Sequence, residues 1–173
     1  GAAEGLLLST QLDVHATASE DFRRMTAQGS LHNNFIQSPR RSAELKDLDF
    51  DFASAPDRTT ADVDAGDLCL NAAFEGDLDY ITRSASRLTK VFMAQLENKA
   101  IDQEALRAAM PTASLRLHSG TDNPLYNILR FQGTEVSSID LNLTSNSTTG
   151  VGGTANVSNY YWGSRTTAVL SGM

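Results

Sequence analysis

Carboxylates are the first residues in this chain whose type and spacing suit chemistry. Asp47, Asp49 and Asp51 alternate with Leu48, Phe50 and Phe52, and Asp62, Asp64 and Asp67 follow. A calcium loop takes acids at positions 1, 3 and 5, Gly at 6 and a bidentate Glu at 12. Counted from Asp62, Gly66 falls at position 5 and Ala73 at position 12, so the pattern fails twice. The acids are expected instead as a solvated or partner-facing strip.

Nucleophile and metal chemistry find less. His15, His32 and His118 form no closely spaced pair, and Cys69 is the one sulfur ligand or thiol nucleophile on offer. Zinc sites are built from local pairs of Cys and His, which are missing. Cys69 stands between Leu68 and Leu70, where a buried, inert thiol is expected rather than an activated one. No Gly-x-Ser-x-Gly elbow occurs. Gly150-Val151-Gly152-Gly153 lacks the Lys of a phosphate loop and reads as a turn. No catalytic residue, metal or cofactor follows from the sequence, and the expectation is that the chain is not an enzyme.

Cations form two groups. Arg83, Arg87 and Lys90 share one helical face, a weak candidate for phosphate contacts. Arg23, Arg24, Arg40 and Arg41 lie in a stretch with no acid, with Phe35 as an apolar anchor between them. Residues 44–79 hold eleven acids against Lys46 and Arg58. A basic arm and an acidic segment on one chain suit association between copies, because complementary fields steer encounter and fix register. The expected assembly residues are therefore Arg23, Arg24, Phe35, Arg40, Arg41, Asp47, Asp49, Asp51, Asp62 and Asp64. Tyr160, Tyr161 and Trp162 give an alternative: an exposed aromatic platform for a ligand.

The elements that must position these residues follow from periodicity. The 173 residues suit one domain with a real core, and a net charge of −7 argues against nucleic acid as the partner. No apolar run is long enough to span a bilayer as a helix. Gln11 to Ala16 alternates as a half-buried strand, and Ser19 with Glu20 and Asp21 looks like the cap of a short helix closed by Gly29. Residues 30–66, with Pro39 and Pro56, lack an obvious period and predict an extended irregular arm. Leu70, Phe74, Leu78, Ile81, Ala85, Leu88, Phe92 and Leu96 recur at three and four, the stripe of a long amphipathic helix. Gly76 marks a break within it, and a second helix, Asp102 to Met110, ends at Pro111. Beyond Pro111 alternation returns over 114–118 and 139–144, and Leu125 to Phe131 is rich in strand formers.

The predicted fold is thus α+β. An N-terminal strand and short helix (1–29) and an arm (30–66) precede a core (67–173) with helices over 67–110 and an antiparallel sheet of about five short strands over 113–173. An ordered arm, an amphipathic helix and a Ser/Thr/Gly/Asn-rich β region are similar in general character to subunits of viral or phage particles and extracellular filaments, though no motif carries that likeness. The expected function is a non-enzymatic, homo-oligomeric shell, tail or filament subunit whose partners are copies of itself and other particle proteins. The expected location is a virion or an extracellular assembly. The alternative is a secreted or surface-exposed, adhesin-like binding module built on Tyr160, Tyr161 and Trp162.

Overall fold

The computed structural model describes residues 5–134, 136–158 and 165–170. Its chain is dominated by one antiparallel sheet: β1 (Leu7–Ala18), β2 (Met25–Gln37), β3 (Ser42–Leu45), β4 (Leu48–Ser54), β5 (Arg58–Ala65), β6 (Leu68–Glu75), β7 (Ala113–Ser119), β8 (Ser138–Asn146), β9 (Gly150–Ser158) and β10 (Arg165–Leu170). Three helices interrupt the meander, α1 (Leu78–Asn98) and α2 (Gln103–Ala108) between β6 and β7, and α3 (Pro124–Phe131) between β7 and β8. The strand order is β1-β2-β4-β5-β6-β7-β8-β9-β10, with β3 pairing the second half of β2.

This corrects the α+β expectation. Residues 30–66 are no arm: they carry most of β2 and all of β3, β4 and β5. The Asp-Leu-Asp-Phe-Asp-Phe run of 47–52 is the alternation of a strand with one wet face. The long helix over 67–110 is absent as well, because Leu68–Glu75 is β6. Leu70 and Phe74 misled through their spacing of four, which returns to the same face in a strand as well as in a helix. No short helix follows Ser19 either. Its hydroxyl donates to Asp21 Oδ1 and accepts from the Arg24 N–H, closing a hairpin loop whose Phe22 is left-handed at φ 57°. The Ser-x-Asp pattern serves such turns as readily as helix caps. Residues 125–131 are helical because Asn123 caps the Tyr126 N–H and Pro124 occupies the first turn. The C-terminal strands form one end of the large sheet and not a separate one.

Register divides the side chains cleanly. One face carries His15, Gln28, Asp51, Asp62, Asn71, Arg116, Asn142 and Thr154 in a row across eight strands, with Asp13, Ser30, Asp49, Asp64, Cys69, His118 and Asp140 in the next. The opposite face runs Val14, Gly29, Phe50, Val63, Leu70, Leu117, Leu141 and Ala155. At Gly29 an added Cβ would stand 2.7 Å from the Phe50 ring and 2.3 Å from the Asp13 carbonyl oxygen, so the close approach of β1, β2 and β4 requires glycine.

The buried apolar cluster lies at one corner. Ile36 and Leu45 pack with Phe131 of α3, flanked by Leu6, Ala43 and Ile128. Arg41 closes this cluster from above, its guanidinium 4.3 Å from the Phe131 ring centroid and donating to the Phe131 carbonyl. Beside it Asn123, the one fully buried large side chain among the described residues, donates to Asp67 Oδ1 at 2.6 Å and to Ser119 Oγ at 3.0 Å. Helix α1 is moored by hydroxyls: its Leu78 N–H donates to Ser54 Oγ, which contacts Thr59 Oγ1, which donates to the Gly76 carbonyl.

Candidate assembly surfaces

The chain exposes 11,410 Å². A compact monomer of its 18.6 kDa would expose about 8,200 Å². Among the described residues two elements expose runs of apolar side chains.

Strand β1 is the first. All twelve of its residues are exposed, although they alternate as a buried strand would. Leu8, Leu12 and Val14, on the apolar face of the sheet, are 64%, 57% and 51% exposed. Among the described residues β1 pairs with β2 alone, which leaves its outer row of N–H and C=O groups free of a strand partner. Natural edges are usually blunted by Lys, Pro, bulges or a covering element. The sequence of β1, LLSTQLDVHATA, contains no Lys, Arg or Pro. The one register shift in the hairpin places its extra residue on β2, near left-handed Asn33, not on the edge.

The second element is the end of α1. Its cap residues are well made: Asp77 accepts from the Tyr80 N–H, and left-handed Lys99 closes the C-terminus. Yet the apolar stripe beyond Leu88 is left half uncovered, with Phe92, Met93 and Leu96 each at least half exposed. Together with Ile101, Leu106 and Met110 of the α2 segment, Leu88, Phe92 and Leu96 line an open apolar groove of about 760 Å³. Gln95 bridges the two helices by bonding both the N–H and the carbonyl of Asp102.

The charges expected at an interface are only partly brought together. Asp49 lies directly opposite Asp64, and Asp51 opposite Asp62, so four carboxylates form a strip on the polar face, with Asp47 just before it on the β3–β4 link. Like charges facing each other across a ladder destabilise it by a few tenths of a kcal/mol, a cost that a cationic partner would remove. Arg23 and Arg24 are exposed in the β1–β2 loop beside Phe22, whose ring is 70% exposed. Arg40 is exposed in the β2–β3 turn, and Phe35 on β2 is 40% exposed. Arg41 is exposed too, and its guanidinium also stacks on the Phe131 ring and donates to the Phe131 carbonyl. Arg83, Arg87 and Lys90 are exposed on α1, and Arg83 pairs with Asp79 at 3.0 Å. Tyr160, Tyr161 and Trp162 lie outside the described residues.

One constellation looks catalytic at first sight. Cys69, His118 and Asp140 are neighbours on β6, β7 and β8, with His118 Nδ1 2.6 Å from Asp140 Oδ1. The thiol nevertheless contacts Asn71 Oδ1 at 3.5 Å. Burial first, then the charge of Asp64, pushes its pKa up. A catalytic thiolate needs the opposite surroundings. Among the described residues no group of three or more His, Cys, Asp and Glu could hold a metal ion.

Asp67 and Lys46 are shifted by structural contacts as well. Burial pushes the Asp67 carboxyl upward, but Asn123 and the N–H groups of Asp122, Gly120 and Thr121 outweigh it and hold it below the usual carboxylate range. Lys46 is raised by its 2.8 Å contact with Asp122.

Sequence reasoning missed β1 as an exposed edge and the uncovered end of α1. The alternation of 11–16 marks a strand, yet nothing in it distinguishes a half-buried strand from an edge. The only hint was the lack of Lys and Pro. No protein-family model, curated protein or solved structure matches the chain.

Proposed function

We propose that the chain is a non-enzymatic structural assembly subunit that associates with copies of itself, in a particle shell, a tail or an extracellular filament. The observation that carries this reading is the twelve-residue β1 edge, apolar on one side, unblunted and exposed at every position. An edge of this kind templates pairing with another chain. The surface excess and the apolar groove at the end of α1 add to it. Electrostatic complementarity adds steering: Arg23 and Arg24 are exposed in the β1–β2 loop and Arg40 in the β2–β3 turn at the opposite end of β2, and Asp49, Asp51, Asp62 and Asp64 form a strip of facing like charges.

The test is the mass in solution by light scattering after size exclusion, at about 50 mM and about 500 mM salt, a range over which the screening length falls roughly threefold. Species above 18.6 kDa that shrink at high salt are expected. A monomer at both salts and at high protein concentration would overturn the reading.

A further inference from the structure

We infer that β1 is a self-pairing strand: two copies of the chain join by antiparallel β1–β1′ addition about a two-fold axis through Val14. This rests on the assembly reading above and makes it specific.

The direction of the strands selects the partner. Every neighbouring pair along β1-β2-β4-β5-β6-β7-β8-β9-β10 is antiparallel, so β1 and β10 run the same way. Rotating a copy about an axis along the strands would bring β1′ beside β10 in parallel, breaking the pattern of the whole sheet. A two-fold axis perpendicular to the sheet brings β1′ beside β1 antiparallel and keeps both apolar faces on one side. Antiparallel pairing is slightly the more stable per residue, and two-fold interfaces are the commonest symmetric solution.

Charge then selects the register. Leu8, Leu12, Val14 and Ala16 share one face of β1, and Asp13 and His15 share the other. Apolar residues oppose apolar ones only when a residue of β1 lies on the axis. An axis through Asp13 would set two carboxylates against each other, which is unfavourable. An axis through Leu12 places Asp13 opposite a neutral Gln11. An axis through Val14 places Asp13 opposite His15 of the other copy twice over, Leu12 opposite Ala16, and Val14 opposite itself. Asp13 remains available for this, at 78% side-chain exposure, despite a 3.4 Å contact to His32 Nε2. The axis through Val14 thus gives each Asp13 an imidazole partner, a side chain that pairs with a carboxylate most strongly when protonated, where the other two axes offer a carboxylate or a neutral amide.

Two single-cysteine full-length chains test this, Cys69→Ser/Val14→Cys and Cys69→Ser/Leu12→Cys, oxidised under identical conditions. Val14 and Leu12 are both about half exposed, so neither substitution disturbs a core. Residues directly opposite across a ladder have Cα atoms about 5 Å apart, within disulfide range, whereas the two Leu12 residues would be displaced by four positions; Val14→Cys should cross-link about tenfold faster. If the parent chain associates but Val14→Cys shows no such preference, the β1 pairing is wrong and assembly runs through another surface. A parent chain that stays at 18.6 kDa throughout would instead sink the assembly reading itself.

Discussion

The corner where α3 meets β2 and β3 and the hairpin of β1 and β2 lie on the same sheet and obey opposite rules. At the corner, Ile36, Leu45 and Phe131 exclude water, Arg41 covers the ring, and both ends of the Asn123 side-chain amide find partners. At the hairpin, leucines and a valine of the same apolar face stay exposed, and among the described residues the outer edge of β1 has no strand partner. On the assembly reading proposed above, the difference separates what the chain does for its own fold from what it leaves to a partner. Residues at the corner should govern stability, and residues on β1 should govern association.

Substitutions can break that division, beginning with the largest effect. Phe131→Ala removes the centre of the small cluster and the platform of Arg41, and should cost about 3 kcal/mol or more in urea unfolding. Asn123→Ala should cost about 2–3 kcal/mol, because it uncaps α3 and withdraws a donor from Asp67. Asp67 adds a pH signature. Its pKa is lowered in the fold, so its contribution is complete above the unfolded carboxylate value of about 4 and is lost as pH falls through the folded value. Asp67→Asn should therefore be less stable than the parent at neutral pH, with the gap narrowing in denaturation curves below about pH 4.

On the other side of the comparison, Val14→Lys should change monomer stability by no more than about 0.5 kcal/mol, as is usual on an exposed surface. It should nevertheless abolish self-association, since it places two ammonium groups face to face at the axis. If Val14→Lys unfolds the chain, or Phe131→Ala leaves its stability intact, the division of labour between the two regions fails.

Parts of this arrangement were legible in the sequence and parts were not, for physical reasons. The alternation of Asp47 to Phe52 and of Gln11 to Ala16 reports two-faced strands directly. Prolines at 39 and 56 and the acid-rich composition disguised the first as an arm. Phe74 and Leu70 satisfied two periods at once, and only the capping residue Asp77 marks where the helix begins. The acidic strip was visible as charge, but the facing of Asp49 to Asp64 and Asp51 to Asp62 depends on the turn that joins β4 to β5. Arg41 carried no mark in the sequence to separate it from Arg40. Its partner, Phe131, lies ninety positions away and is brought near by α3.

The central claim is that this chain completes itself only against another copy, through β1. Light scattering on the full chain beside its Val14→Lys variant, at matched concentration and about 50 mM salt, tests it most directly. The account predicts at least twice the 18.6 kDa chain mass for the parent and a smaller mass, with unchanged circular dichroism, for the variant. Identical masses for the two proteins would contradict it.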